Sequence, residues 1–256
     1  MSLKPYKNIL QFQKLIKFEY KAYLISEYSP IGDLYQLSSK EYFIKMMKVW
    51  KPLRGIHHLI KGIGEGLCYL HEWGIAHGDL TPNNILLFWN TESQNDSNSY
   101  DRMTPKLSGF DVSQMEGPRD PVGKVMARKA KGSLNYMAPE SLENKGSYDM
   151  IVADFYSVGA CLLAMLLGEH PFQATTPLPL KHVNSYEENE TSFTNFTTLM
   201  KKDVNYVKNV CDVFNRQLRY VLTRLLDPSP NSRMSAEEFL KTEWISKERE
   251  FNANRK

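Results

Sequence analysis

His77-Gly78-Asp79-Leu80-Thr81-Pro82-Asn83-Asn84-Ile85-Leu86-Leu87 sets an aspartate and an asparagine five residues apart in a loop and follows them at once with an apolar strand. That arrangement holds a carboxylate and a carboxamide side by side at the mouth of a site. The carboxylate can accept a proton from a hydroxyl there, and the carboxamide can ligate a metal ion. The plain alternative is an ordinary turn between a helix and a strand, and the partners that follow in order along the chain decide against it.

Immediately upstream, Ile56, Leu59, Ile60, Ile63, Leu67 and Leu70 recur at intervals of three and four, which predicts a one-faced amphipathic helix over 53–70 that delivers the chain to the loop. Further upstream, Phe12, Ile16 and Phe18 suggest one short strand, and Tyr23, Leu24 and Ile25 suggest the next. Downstream, Asn90 to Thr104 is rich in Ser, Asn and Asp and reads as an insertion between two strands. Lys106-Leu107-Ser108-Gly109-Phe110-Asp111-Val112 follows, then a basic segment ending at Lys131, then Gly132-Ser133-Leu134-Asn135-Tyr136-Met137-Ala138-Pro139-Glu140. Asp154 to Gly159 opens a helix whose continuation, Ala160 to Leu167, is apolar on every side, so it belongs inside a domain. His170 reads as a turn residue and Thr175 to Thr198 as an irregular excursion. Phe214, Leu218, Leu222, Leu225 and Leu226 predict another amphipathic helix, and Ser235-Ala236-Glu237-Glu238 predicts a capping box for the last one.

The 256 residues are 42% hydrophobic with a net charge of +3, a balance that gives no reason to invoke nucleic acid. Cys68, Cys161 and Cys211 are odd in number, far apart and without metal-ligand spacing, so the natural setting is a reducing compartment, the cytosol or nucleus. The sequons at Asn189 and Asn195 would then stay unmodified. No signal-peptide layout opens the chain, and no apolar run approaches the ~20 residues of a membrane span.

These motifs together resemble the protein kinase superfamily, serine/threonine type. The loop resembles the catalytic loop H-R-D-L-K-P-x-N, with Gly78 for the arginine and Thr81 for the lysine. Gly132 to Glu140 is similar to G-T-x-x-Y-x-A-P-E, and Tyr23 to Leu34 resembles the last small-lobe strand, the hinge and the following helix start. The resemblance implies an α+β fold, mainly the helical large lobe with a remnant of the small-lobe sheet. It divides the chain into a remnant at 1–28, a large lobe at 29–245 and a charged tail at 246–256. It implies Asp79 as catalytic base with the Ser133 hydroxyl touching it, and Asn84 as a metal ligand. It puts the backbone of Glu27 and Ser29 at an adenine edge, Asp33 at a ribose and Leu86 as the adenine floor. It makes Asp154 a cap on the loop backbone and pairs Glu140 with Arg233.

The departures shape the functional expectation. The stretch before the hinge holds no Gly-rich loop, phosphate-binding lysine or partner glutamate, and a lone hairpin there is marginal by itself. Where the family has D-F-G, this chain has Gly109-Phe110-Asp111. Residues two apart in extended chain lie about 6.6 Å apart, whereas magnesium holds ligands at about 2.0 to 2.1 Å, so Asp111 replaces the lost aspartate only by a slip that pulls Phe110 from the core. Gly78 also removes the arginine that pairs with a loop phosphate. Two functions follow as expectations: a pseudokinase-like binding or scaffold protein engaging protein partners, with weak ATP and Mg2+ binding, or a serine/threonine kinase represented by an N-terminally truncated chain.

Overall fold

The computed structural model describes residues 4–39, 52–90, 103–116, 123–142, 146–167 and 216–246. Strands β1 (Phe12–Lys17), β2 (Ala22–Ser26) and β3 (Gly32–Asp33) precede helices α1 (Leu34–Ser39) and α2 (Pro52–Glu72). Next come β4 (Ile75–Ala76), β5 (Ile85–Trp89), β6 (Met103–Leu107), β7 (Gln114–Met115), β8 (Met126–Ala127), α3 (Pro139–Leu142) and β9 (Tyr148–Asp149). Helices α4 (Met150–Leu167), α5 (Arg216–Leu225), α6 (Ala236–Lys241) and α7 (Glu243–Ser246) complete the order. The strands form small antiparallel sheets, β1-β2, β3-β5-β6, β4-β7 and β8-β9.

The core is built around α4, in which every residue from Asp154 to Met165 is buried. Its apolar side chains have no wet face to offer, and each large one removed from water contributes about 1.5 to 3 kcal/mol. Ser157 is accommodated because its hydroxyl donates to the Tyr136 carbonyl at 2.8 Å. Helix α2 packs against α4, α6 and β6. A Cβ on Gly64 would stand 2.3 Å from the Phe239 ring, and one on Gly66 3.0 Å from the Asn8 carbonyl. Glycine within a helix costs about 1 kcal/mol against alanine, and here it admits α6 on one side and the N-terminal segment on the other.

That segment is stitched to the large lobe. The Leu107 N–H donates to the Asn8 carbonyl at 2.8 Å and Leu10 N–H to the Leu107 carbonyl at 2.9 Å. Asn8 is buried and donates to the Pro105 carbonyl at 2.8 Å. Tyr6 stacks on Tyr69 with centroids 4.4 Å apart. The β1-β2 hairpin that follows is exposed by contrast, with Leu24 at 72% and Phe12 at 55% accessibility.

The polar stretch expected to run to Thr104 ends sooner: Met103 and Thr104 open β6, and Met103 is buried in the core. Its alternation with buried Pro105 and Leu107 outweighs the polar composition just before it. The capping box is present, Ser235 Oγ accepting from the Glu238 N–H at 3.2 Å and Glu238 Oε2 from the Ser235 N–H at 2.9 Å. Arg233 is buried and forks onto Glu140 through Nη1–Oε1 at 2.5 Å and Nη2–Oε2 at 2.8 Å. Its remaining donors reach the Val152 and Asp227 carbonyls, so the guanidinium is desolvated with its partners in place. His170, Cys211, Phe214, the sequons, the excursion over 175–198 and the tail beyond Ser246 lie outside the described residues.

Candidate active site

The loop over 77–84 hangs from the core helix by one side chain. Asp154, at 2% accessibility, accepts the His77 N–H on Oδ2 and the Gly78 N–H on Oδ1, both at 2.8 Å, with His71 Nε2 at 2.9 Å from Oδ2. His77 is fully buried; its Nε2 stands 2.8 Å from the Ser108 carbonyl and its Nδ1 accepts the Asp79 N–H at 3.2 Å. These contacts select the neutral ring with its proton on Nε2. Burial pushes its pKa below the usual imidazole value, against the opposing pull of Asp154, the Ser108 carbonyl and Asp79. The Phe110 ring lies 5.1 Å from the imidazole.

The structure brings Asp79, Asn84, Ser133 and Gly109 together. Asn84 Nδ2 donates to the Asp79 carbonyl at 2.8 Å and to Asp79 Oδ2 at 3.1 Å. Asp79 Oδ1 accepts the backbone N–H of Ser133 at 2.7 Å. This corrects the expected hydroxyl contact. A Cβ at Gly132 would lie 2.4 Å from the Gly78 carbonyl, so the backbone itself rests on the loop and presents its amide first. Both carboxylate oxygens of Asp79 therefore already accept a hydrogen bond.

Gly109 has φ +73°, and a Cβ built on it would fall 2.4 Å from Asn84 Cγ and Oδ1. The Asn84 carboxamide thus fills the space into which an aspartate at 109 would project. Asp111 is exposed on the short turn Phe110–Val112, and Phe110, expected in the core, is itself 37% accessible with only one side of its ring toward His77. Among the described residues no group of three His, Cys, Asp or Glu side chains is placed to hold a metal. Asn84, expected as a metal ligand, commits its amide nitrogen to Asp79. At Gly78, Met150 Cε lies 2.6 Å from where a Cβ would be, so that methyl fills the space beside the missing arginine.

At the hinge, the resemblance turns the Glu27 backbone toward a nucleotide, but its N–H donates into the hairpin, to the Gln11 carbonyl at 3.0 Å, and its carbonyl accepts from Ser26 Oγ at 3.3 Å. The Glu27 carboxylate, to which sequence reasoning gave no role, takes Lys106 Nζ on both oxygens at 2.7 Å. Lys106 is the cross-strand partner of Leu86 and lies 4.6 Å from the Phe88 ring centroid, so the expected adenine floor shares its face with an ion pair. The two residues are 79 apart in sequence, so no local pattern marks the pair. Ser29 Oγ donates to the Leu87 carbonyl at 2.6 Å. Asp33, expected at a ribose, caps α1, Oδ1 accepting the Gln36 N–H at 2.7 Å and Oδ2 the Gln36 side-chain amide at 3.1 Å.

The core helix clamping a His-x-Asp loop, and the Glu–Arg pair behind it, define the helical lobe of a phosphotransferase-type fold. The comparison with known families agrees: residues 1–245 match the protein kinase domain, and the chain belongs to that family. Among its relatives, CBL-interacting protein kinase 26 of Oryza sativa subsp. japonica is 28% identical over 253 residues, 99% of this chain and 43% of that protein. CBL-interacting serine/threonine-protein kinase 3 of Arabidopsis thaliana is 27% identical over 248 residues, 97% and 47% respectively. A probable serine/threonine-protein kinase, KKQ8, of Candida glabrata is 25% identical over 240 residues, 93% and 29%. The chain thus spans less than half the length of these relatives.

Proposed function

We propose that this chain is a pseudokinase-like binding or scaffold protein, with weak or no phosphoryl transfer, whose partners are proteins that dock on the large-lobe surface. One observation carries the reading: the Asn84 carboxamide stands where a side chain at 109 would go and ties itself to Asp79. Phosphoryl transfer depends on positioned charge rather than covalent chemistry. Loss of one preorganised electrostatic group commonly costs about 10² to 10³ in rate. A nucleotide held by the hinge and the Leu86 face would find no carboxylate at 109 to organise a metal on its phosphates.

The test is transfer of the γ-phosphate from ATP to a generic protein substrate, with Asp79→Asn as control. No transfer above the control is expected. Activity abolished by Asp79→Asn would sink the proposal in favour of a second reading, a serine/threonine kinase, which the intact Asp154 clamp and the Phe110 contact on His77 favour. Protein substrates would then be the acceptors, as the names of the relatives suggest for those proteins.

A further inference from the structure

Glu27 is the point at which the hairpin, the hinge and the β5-β6 strands meet. Its N–H donates to the Gln11 carbonyl at 3.0 Å and its Oε1 accepts the Gln11 N–H at 2.7 Å, so backbone and side chain together close the base of the β1-β2 hairpin. The same carboxylate takes Lys106 Nζ on both oxygens at 2.7 Å. The Glu27 side chain is 22% accessible and that of Lys106 15%, so the pair is largely out of water. Hydrogen bonds between charged groups are shorter and stronger than neutral ones.

The place of Lys106 in β6 gives this link its leverage. Met103, Pro105 and Leu107 are buried, and Thr104 and Lys106 between them point to the other face of the strand. Lys106 is the cross-strand partner of Leu86, and the side chains of such partners share a face. The cation that reaches the hinge therefore rises from the strand position beside Leu86. Two residues after Glu27, Ser29 Oγ donates to the Leu87 carbonyl at 2.6 Å. The hinge is thus tied at two points to the strands that carry Leu86, by a neutral hydrogen bond at Ser29 and by an ion pair at Glu27.

We infer that Glu27 and Lys106 are positioning residues, a strut that sets the height of the hinge backbone over the Leu86 face and with it the fit of a flat, uncharged base between the two. The inference rests on the reading that the hinge and the Leu86 face hold the base of a nucleotide. Without Lys106, the Glu27 carboxylate loses the cation that holds it inward and turns to water. That movement takes Oε1 from the Gln11 N–H and loosens the base of the hairpin. A substitution at 106 leaves the buried face of β6 intact, so what is lost is the placement of the hinge rather than the fold of the large lobe.

The experiment is calorimetry with adenosine on the full chain, joined with backbone hydrogen exchange. Adenosine carries no phosphates, so it reports on the hinge and the Leu86 face and not on the groups around Asp79. Lys106→Met and Glu27→Gln should each weaken adenosine binding about tenfold, the order of one lost charged hydrogen bond. The double variant should lose no more than either single one, because both break the same link. Lys106→Arg, which keeps a cation for the carboxylate, should stay near the parent. Amides over 22–29 should exchange faster in Lys106→Met while those of α4 and the thermal midpoint stay as in the parent, the pattern of a local opening. Unchanged adenosine affinity in Lys106→Met, a double variant that loses the product of the two single losses, or unchanged exchange over 22–29 would each overturn the inference. A parent chain that binds no adenosine overturns the nucleotide reading instead, and exchange over 22–29 then decides for or against the strut by itself.

Discussion

A side chain at position 109 and the carboxamide of Asn84 compete for one space. Restoring the family motif with Gly109→Asp and Asp111→Gly should therefore evict Asn84 from Asp79, so that one metal ligand is gained as the other is displaced. The left-handed φ at 109 adds about 1 kcal/mol of strain for a non-glycine residue. No phosphoryl transfer above an Asp79→Asn background is expected from the double variant, and the assay is radiolabel incorporation into a generic substrate. His77 supplies a second test. Its folded pKa lies below its unfolded value of about 6.5, so the unfolded chain binds the proton first as pH falls. The neutral ring's stabilisation is complete above that pH and is lost on acidification toward the folded pKa. Urea midpoints between about pH 7.5 and 5.5 should fall more steeply for the parent than for His77→Gln. Equal slopes would mean that His77 titrates alike in both states.

Single elements carry the stability. Leu163, fully buried in α4, should cost about 2 to 5 kcal/mol when truncated to alanine, and Leu163→Asp should leave little folded protein by thermal denaturation. A double-mutant cycle on Glu140 and Arg233 should show strong coupling, since removing one partner strands a buried charge at about 3 to 5 kcal/mol. Nucleotide affinity should change little in either single variant. Elements such as α2, α4 and the α6 cap were legible in the sequence because periodicity and capping are local properties of consecutive residues. The site was legible only in outline. The residue types at 79, 84 and 133 mark a catalytic loop, but whether Ser133 offers its hydroxyl or its amide depends on how closely the backbone at Gly132 approaches, which is set by packing. The Glu27 with Lys106 pair depends on the register between β5 and β6 and on the fold of the hinge, 79 residues apart in sequence.

For the whole molecule, ATP binding should be weak and nearly indifferent to magnesium. A hinge can hold an adenine without a metal, and the described residues assemble no carboxylate cluster to hold one at the phosphates. Calorimetry with and without Mg2+ checks this; micromolar affinity strictly dependent on magnesium would contradict it. The contact between Gly109 and Asn84 also makes the two positions answer to each other. Any side chain introduced at 109 meets a left-handed backbone and the Asn84 carboxamide together, so the effect of a substitution at one of these positions depends on which residue stands at the other.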